Sequence, residues 1–253
     1  MTRIIIAVVT SILISRLGWA NDIVLNFDNV SILPIHSYEK EHAKLNFVAI
    51  IGGPGLKNKK GKSKNFLVTQ KSTFTNSNLN YYLLPNWSGS EKASYKLRAS
   101  KKRANRILNL VKELRKRNSL PTYLVGFSRG SVDAASFAKK FPDKIKGIVL
   151  ASGVYTNSTK KAESYSMQSI IGTKIKVNTL VAHHKKDLCK VTKFKFAKSF
   201  YDSLQAPVKE ILLFDGGIPT GGRCGPLHHH GYENIESEAA KKILEWLMLD
   251  VDS

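Results

Sequence analysis

Short apolar runs recur along the chain at Ile23–Phe27, Leu45–Ile51, Tyr81–Leu84, Tyr123–Phe127, Ile145–Ala151, Asn178–Ala182 and Ile211–Phe214. They are flanked by Gly, Pro or Asn and contain few polar breaks, the pattern of strands buried on both faces. Longer segments of helical period lie between them. In Ser100–Arg117 the residues Ala104, Ile107, Leu108, Val111 and Leu114 form one apolar stripe. Val132–Lys140, Val191–Leu204 and Glu236–Leu249 read the same way. Strands alternating with helices predict a mostly parallel sheet covered on both faces, in one domain over residues 21–253. Two connections are long: the basic loop Lys57–Lys64, and the insertion Thr156–Lys174, expected to form a small cap. Within the insertion and just before it, Tyr155, Tyr165 and Met167 are placed either to shape a pocket or simply to pack.

The N-terminus follows a different pattern. Arg3 gives a short positive start, Ile4–Ile14 is almost wholly apolar, and Gly18-Trp19-Ala20 puts small residues where a signal peptidase reads. This predicts a secretory signal at residues 1–20 with cleavage before Asn21. The apolar run is short of the roughly 20 residues of a bilayer span. A secreted or periplasmic location follows, and it makes a disulfide between the two cysteines, Cys189 and Cys224, chemically reasonable.

Candidate chemistry begins at Gly126-Phe127-Ser128-Arg129-Gly130, after one predicted strand and before one predicted helix. A serine on a tight strand-to-helix turn presents its hydroxyl clear of the backbone, with the helix amides and dipole aimed at charge developing there. That hydroxyl needs a base, and the base needs an orienting acid. In the order Ser, acid, His, the acid is Asp187, with Asp215 as its rival, and the base lies in His228-His229-His230. His230 is preferred because Gly231-Tyr232 gives its ring room, with His229 as runner-up. Ile51-Gly52-Gly53-Pro54-Gly55 turns back after a predicted strand. Pro54 has no N–H, which leaves the amide of Gly53, paired with that of Arg129, to bind a developing oxyanion. A Cys189–Cys224 bridge would tie the acid loop to the histidine loop.

Composition narrows the field. The 253 residues are 42% hydrophobic and 23% charged, with mean hydropathy −0.20. This excludes a disordered or collagen-like chain and a polytopic membrane protein. The formal charge of +21 is the outlier. The excess concentrates in Lys57–Lys64 and along Lys96–Lys116, where it faces away from the apolar stripe and reads as a solvated surface. No nucleic-acid motif accompanies it. Weak attraction to anionic envelope polymers or lipids is the partner it suggests. Five of the seven histidines fall in the two loops around Asp187 and His230. Without HExxH or an i, i+4 helical pair, however, they do not make a metal centre. His183 and His184 read as structural, one packed at a strand end and the other facing solvent.

Across residues 45–247 the chain resembles exported bacterial α/β-hydrolases. The likeness rests on Gly52-Gly53-Pro54-Gly55, Asn65-Phe66-Leu67, Leu124 to Ser131, His183 to Cys189, and Cys224 followed by His230-Gly231-Tyr232. The resemblance implies the α/β-hydrolase fold, an eight-stranded-type sheet with its site at the carboxyl edge, and Ser128, Asp187 and His230 as nucleophile, acid and base. Ile51 departs from the histidine that often opens the oxyanion loop in such enzymes. The expected activity is hydrolysis of a small-molecule ester through an acyl-enzyme on Ser128, with no metal or organic cofactor. Two other readings fit the same residues: a peptidase or amidase, and a non-catalytic envelope-polymer binder that has kept the fold.

Overall fold

The computed structural model describes residues 34–253, and of residues 19–23 the backbone. Among the described residues, eight strands form one sheet: β1 (Trp19–Ile23), β2 (Ile35–Glu39), β3 (Leu45–Ile50), β4 (Leu79–Leu83), β5 (Thr122–Phe127), β6 (Gly147–Ala151), β7 (Asn178–His184) and β8 (Lys209–Phe214). Their spatial order is β1-β2-β4-β3-β5-β6-β7-β8. β1 and β2 are antiparallel to their neighbours, and every pairing from β4 through β8 is parallel. The described residues also hold eight α-helices: α1 (Phe66–Thr69), α2 (Lys71–Thr75), α3 (Tyr95–Ala99), α4 (Lys101–Asn118), α5 (Gly130–Lys140), α6 (Met167–Ile171), α7 (Phe194–Ser203) and α8 (Glu236–Asp252).

The strand period of two divides the core between the faces. Val48, Ile50, Leu124, Ile148, Leu150 and Val181 point into one apolar layer with α3 to α7. Phe47, Ala49, Val125, Val149 and Leu180 point into the other, against α1, α2 and α8. Both faces being covered, β3, β5, β6 and β7 are buried along their whole length. That is why they read as unbroken apolar runs rather than alternating ones.

Six of the seven expected strands and all four expected helices are present, with ends shifted by a few residues. Of the expected strand Ile23–Phe27, only Ile23 falls in a described strand, since residues 24–27 lie outside the described residues. Most of the expected leader lies outside them as well. β1 runs across the expected cleavage point, pairing Ala20 with Tyr38 and Asn21 with Ser37. Sequence patterning missed β2, whose Ile-His-Ser-Tyr-Glu is too polar to stand out. It also missed α1, α2, α3 and α6, each too short to display a helical period.

The insertion Thr156–Lys174 holds only α6, which packs on α5. Tyr155 and Met167 are buried in the core and Tyr165 stacks on Tyr95, so the three aromatic and thioether side chains pack rather than line a pocket.

The expectation of a solvated basic face on 96–116 needs correction at two positions. Arg98 and Arg103 are buried and both bind Asp133 of α5. Arg98 also donates to the carbonyls of Ile51 and Ala93, at 3.0 and 3.1 Å, and Arg103 to that of Pro85 at 3.1 Å. Burying guanidinium groups is tolerated because every face of the cluster is hydrogen-bonded. The cluster clamps the loop after β3 to the helix after β5.

Candidate active site

The loops at the carboxyl ends of β3, β5 and β7 and the segment before α8 meet at one place on the sheet edge. The first contribution comes from β5. Its chain turns into α5 so sharply that Ser128 takes φ 53°, a left-handed conformation that L-residues adopt at a cost. Several bonds hold it there. The Ser128 amide donates to Ala151 at 2.9 Å, and its carbonyl accepts from the Ser131 amide at 3.0 Å and the Ser131 hydroxyl at 2.7 Å. The turn is tight enough that a Cβ on Gly130 would collide with the Ile50 carbonyl. Across the cleft, a Cβ on Gly52 would stand 2.7 Å from that of Ser128, so only glycine lets the loop after β3 approach so closely.

The second contribution is a relay of side chains. His230 Nε2 lies 3.0 Å from Ser128 Oγ, and its Nδ1 lies 2.9 Å from Asp187 Oδ2. Asp187 follows β7 and is buried, as is His230. The carboxylate is fully occupied: Oδ1 accepts from the Cys189 amide at 2.8 Å, and Oδ2 from the Thr192 hydroxyl at 2.8 Å as well as from His230. Burial by itself would raise its pKa. The attraction and hydrogen bond of His230, aided by His183 and the Cys189 amide, outweigh that and hold it below the usual range. The His230 carbonyl accepts from Ser152 Oγ at 2.9 Å, which fixes the backbone behind the ring.

The rivals fall elsewhere. Asp215 is exposed and pairs with Lys186 at 2.9 Å. The His229 ring stacks on His184 at 4.4 Å between centroids. His184 is buried as well as His183, so neither of the pair faces solvent as one of them was expected to; the His184 Nε2 meets the Gly216 carbonyl at 2.9 Å and its Nδ1 accepts from the Lys186 amide at 3.0 Å. His183 is packed at the end of β7. Its Nε2 is 3.6 Å from Asp187 Oδ2, and burial is the main reason its pKa is lowered to about 4. It is therefore neutral at pH 7 and leaves the Asp187 charge directed at His230.

Cys189 and Cys224 are disulfide-bonded, joining the loop that carries Asp187 to the loop that leads to His230. Two clefts meet at Ser128. One has a volume of about 580 Å³ and is walled by Tyr95, Leu188, Val191 and Arg129. The other, about 290 Å³, holds His230, Asn65 and Pro226. Gly53 lines both. Its φ of 57° and the 3.1 Å bond from the Gly55 amide to the Gly52 carbonyl set the turn of this loop.

Comparison with solved structures places the fold. A dienelactone hydrolase from Anabaena variabilis superimposes with TM-score 0.63 at 14% identity, over 91% of this chain and 96% of that one. An esterase from Pyrococcus furiosus gives TM-score 0.67 at 12% identity over 91% of each chain. The chain has the α/β-hydrolase fold. A monoacylglycerol lipase from Paleococcus ferrophilus shares it too, with TM-score 0.58 at 15% identity over 85% of this chain and 99% of that one. No protein-family model matches the sequence, and no curated protein matches it. At such low identities the likeness speaks for the α/β-hydrolase fold, and the chemistry has to be argued from the side chains.

The residues that sequence reasoning missed are supporting ones: Thr192, Ser152, and the Arg98–Asp133–Arg103 cluster. Asp133 did leave a trace, as the one carboxylate in the otherwise apolar and small-residue stretch Val132–Ala138. A lone acid on a buried helix face calls for a buried cation. Thr192 and Ser152 left none, being ordinary residues brought into place by the fold.

Proposed function

We propose that the protein is a serine hydrolase of carboxylic esters, working through an acyl-enzyme on Ser128. The observation that carries this reading is the continuous hydrogen-bonded relay from Ser128 Oγ through His230 to Asp187. In the first half-reaction His230 Nε2 takes the Ser128 proton while Oγ bonds to the ester carbonyl carbon. The amides of Gly53 and Arg129 receive the resulting oxyanion, at the N-terminus of α5. Collapse breaks the bond to the leaving oxygen, which takes the proton from His230, and an alcohol departs. Water then attacks the acyl-enzyme, giving its proton to His230, and the carboxylic acid is released with Ser128 restored. Asp187 holds the imidazole in the tautomer with Nδ1–H and supports its cationic form.

The proposal extends to export. The sequence of residues 1–20 and a disulfide, which persists in oxidising compartments, both support it. Mature protein beginning at Asn21 is the expected product, and N-terminal sequencing of protein from the natural host checks it.

The decisive experiment for catalysis is labelling with a fluorophosphonate probe, together with turnover of 4-nitrophenyl esters of graded chain length. Native protein should label and hydrolyse. Ser128→Ala should not label and should lose at least about 10³-fold in kcat. Absence of labelling in the native protein, or equal labelling of the variant, overturns the reading. Competition of the label by peptides but not by acyl esters would move it to an amidase.

A further inference from the structure

The large cleft at Ser128 has apolar walls and a cationic mouth. Arg129, Lys161, Lys190 and Arg223 line it, and no carboxylate does. The four come from separate segments: the start of α5, the insertion, the loop after Asp187 and the loop before His230. Lys190 follows Cys189 and Arg223 precedes Cys224, so the disulfide, with its Cα atoms 4.6 Å apart, ties together the two segments that carry these cations. The Arg129 guanidinium lies 5.0 Å above the Tyr95 ring rather than on an acid. Among the described residues, none of the four makes a salt bridge, although ten other lysines and arginines do. Like charges gathered without counter-ions repel one another, and an anionic ligand relieves that repulsion.

The chemistry decides which part of the ester enters this cleft. The leaving oxygen must take its proton from His230 Nε2, and His230 lines the smaller cleft. The alcohol therefore departs on that side, and the acyl group occupies the larger one. We infer that the preferred acyl group ends in an oxyanion, carboxylate or phosphate, held at the mouth by Arg129, Lys161, Lys190 and Arg223, with its stem against Tyr95, Leu188 and Val191. This rests on the proposed ester hydrolysis at Ser128 and adds the substrate class to it.

The test compares 4-nitrophenyl hexanoate with mono-4-nitrophenyl adipate, in which a carboxylate replaces the terminal methyl, and with the 5-phosphonopentanoate ester. The anionic esters should have the higher kcat/KM, by about tenfold. The anion that gains more names the source. Arg223→Glu, Lys161→Glu and Lys190→Glu together should erase that ratio. Lys112→Glu, one such charge reversal placed on the exposed face of α4, should leave it within about twofold. About 0.5 M salt should compress the ratio. Adipate should also protect Ser128 from fluorophosphonate better than hexanoate does, a readout independent of turnover. If the neutral ester is turned over through Ser128 but the ratio is near one, or if Lys112→Glu lowers it as much as the local variants, this inference fails and the hydrolase reading stands. If Ser128 turns over and labels with nothing, both fail together.

Discussion

The two halves of the site are held in place by different physics. Ser128 is fixed mainly by backbone: a left-handed φ of 53°, two bonds to its carbonyl, one of them from the neighbouring Ser131 hydroxyl, and a close approach of chain segments that excludes side chains at Gly52 and Gly130. His230 is fixed by side chains from distant segments: Asp187 and Thr192 on one side of the ring, Ser152 behind its carbonyl, and a disulfide that ties the two loops together. Backbone packing has almost no adjustable parts. A network of side chains can lose one member and keep the rest. Damage to the serine half is therefore expected to be all-or-none, and damage to the histidine half graded.

The largest effect is expected where the backbone has no slack. In Gly130→Ala the new methyl meets the Ile50 carbonyl, which belongs to β3 and is itself held in the sheet. To relieve the clash, α5 must shift away, carrying the Arg129 amide and Ser128 with it. A displacement of that kind costs about 10²-fold in kcat, together with about 1–3 kcal/mol of overpacking. Turnover of 4-nitrophenyl hexanoate and denaturant unfolding measure the two. Activity within about threefold of native would mean that the serine half is as adjustable as the other.

This contrast also explains what could be read from the sequence. Gly126 to Gly130 is legible because backbone constraints act locally and leave glycines at fixed spacing around the serine. Asp187 and His230 were found by their order along the chain, and Asp215 and His229 stayed in contention because no local pattern separates them. What separates them is the fold, which exposes Asp215 and stacks His229 on His184. Arg98 and Arg103 were misread for the same reason. On a helix with Lys96, Lys101 and Lys102 around them they look like solvated charge, and only the packing of α3 and α4 on α5 shows that they are buried on Asp133. The central strands were legible since burial on both faces leaves unbroken apolar runs. β2, second from the edge of the sheet and only partly covered, was not.

The histidine half should respond by degrees to loss of its covalent tie. The disulfide closes a loop with a sequence separation of 35. In the chain-entropy model such a loop contributes about 3–4 kcal/mol by restricting the unfolded chain. Cys189→Ser with Cys224→Ser should lower the unfolding free energy by that amount in a guanidinium titration. The Cys189 backbone amide still reaches Asp187 in the variant, so the relay survives and kcat should fall by no more than about tenfold. Collapse of kcat to the level of Ser128→Ala would make this half as brittle as the other.

The smallest expected effect sharpens the same contrast, because it concerns a histidine that the relay excludes. His183 sits between Tyr155 and Phe194, with ring centroids 5.5 and 6.4 Å away. Its titration is set by burial first, then by Asp187, His230 and His184, and lies at about 4 when folded. Unfolded, it returns to about 6.5. The folded protein thus binds fewer protons than the unfolded chain between these values, so the stability due to His183 is complete above about pH 6.5 and is lost as pH falls toward 4. Asp187, also held below its ordinary value, loses its share only at lower pH, below its unfolded value of about 3.9. His183→Phe keeps an aromatic ring in the same slot and removes the proton. Between pH 7 and pH 5 native protein should lose about 2 kcal/mol more unfolding free energy than the variant. Equal pH slopes would mean that His183 takes up its proton in the folded state, setting a second cation beside Asp187 to compete with His230 for its charge.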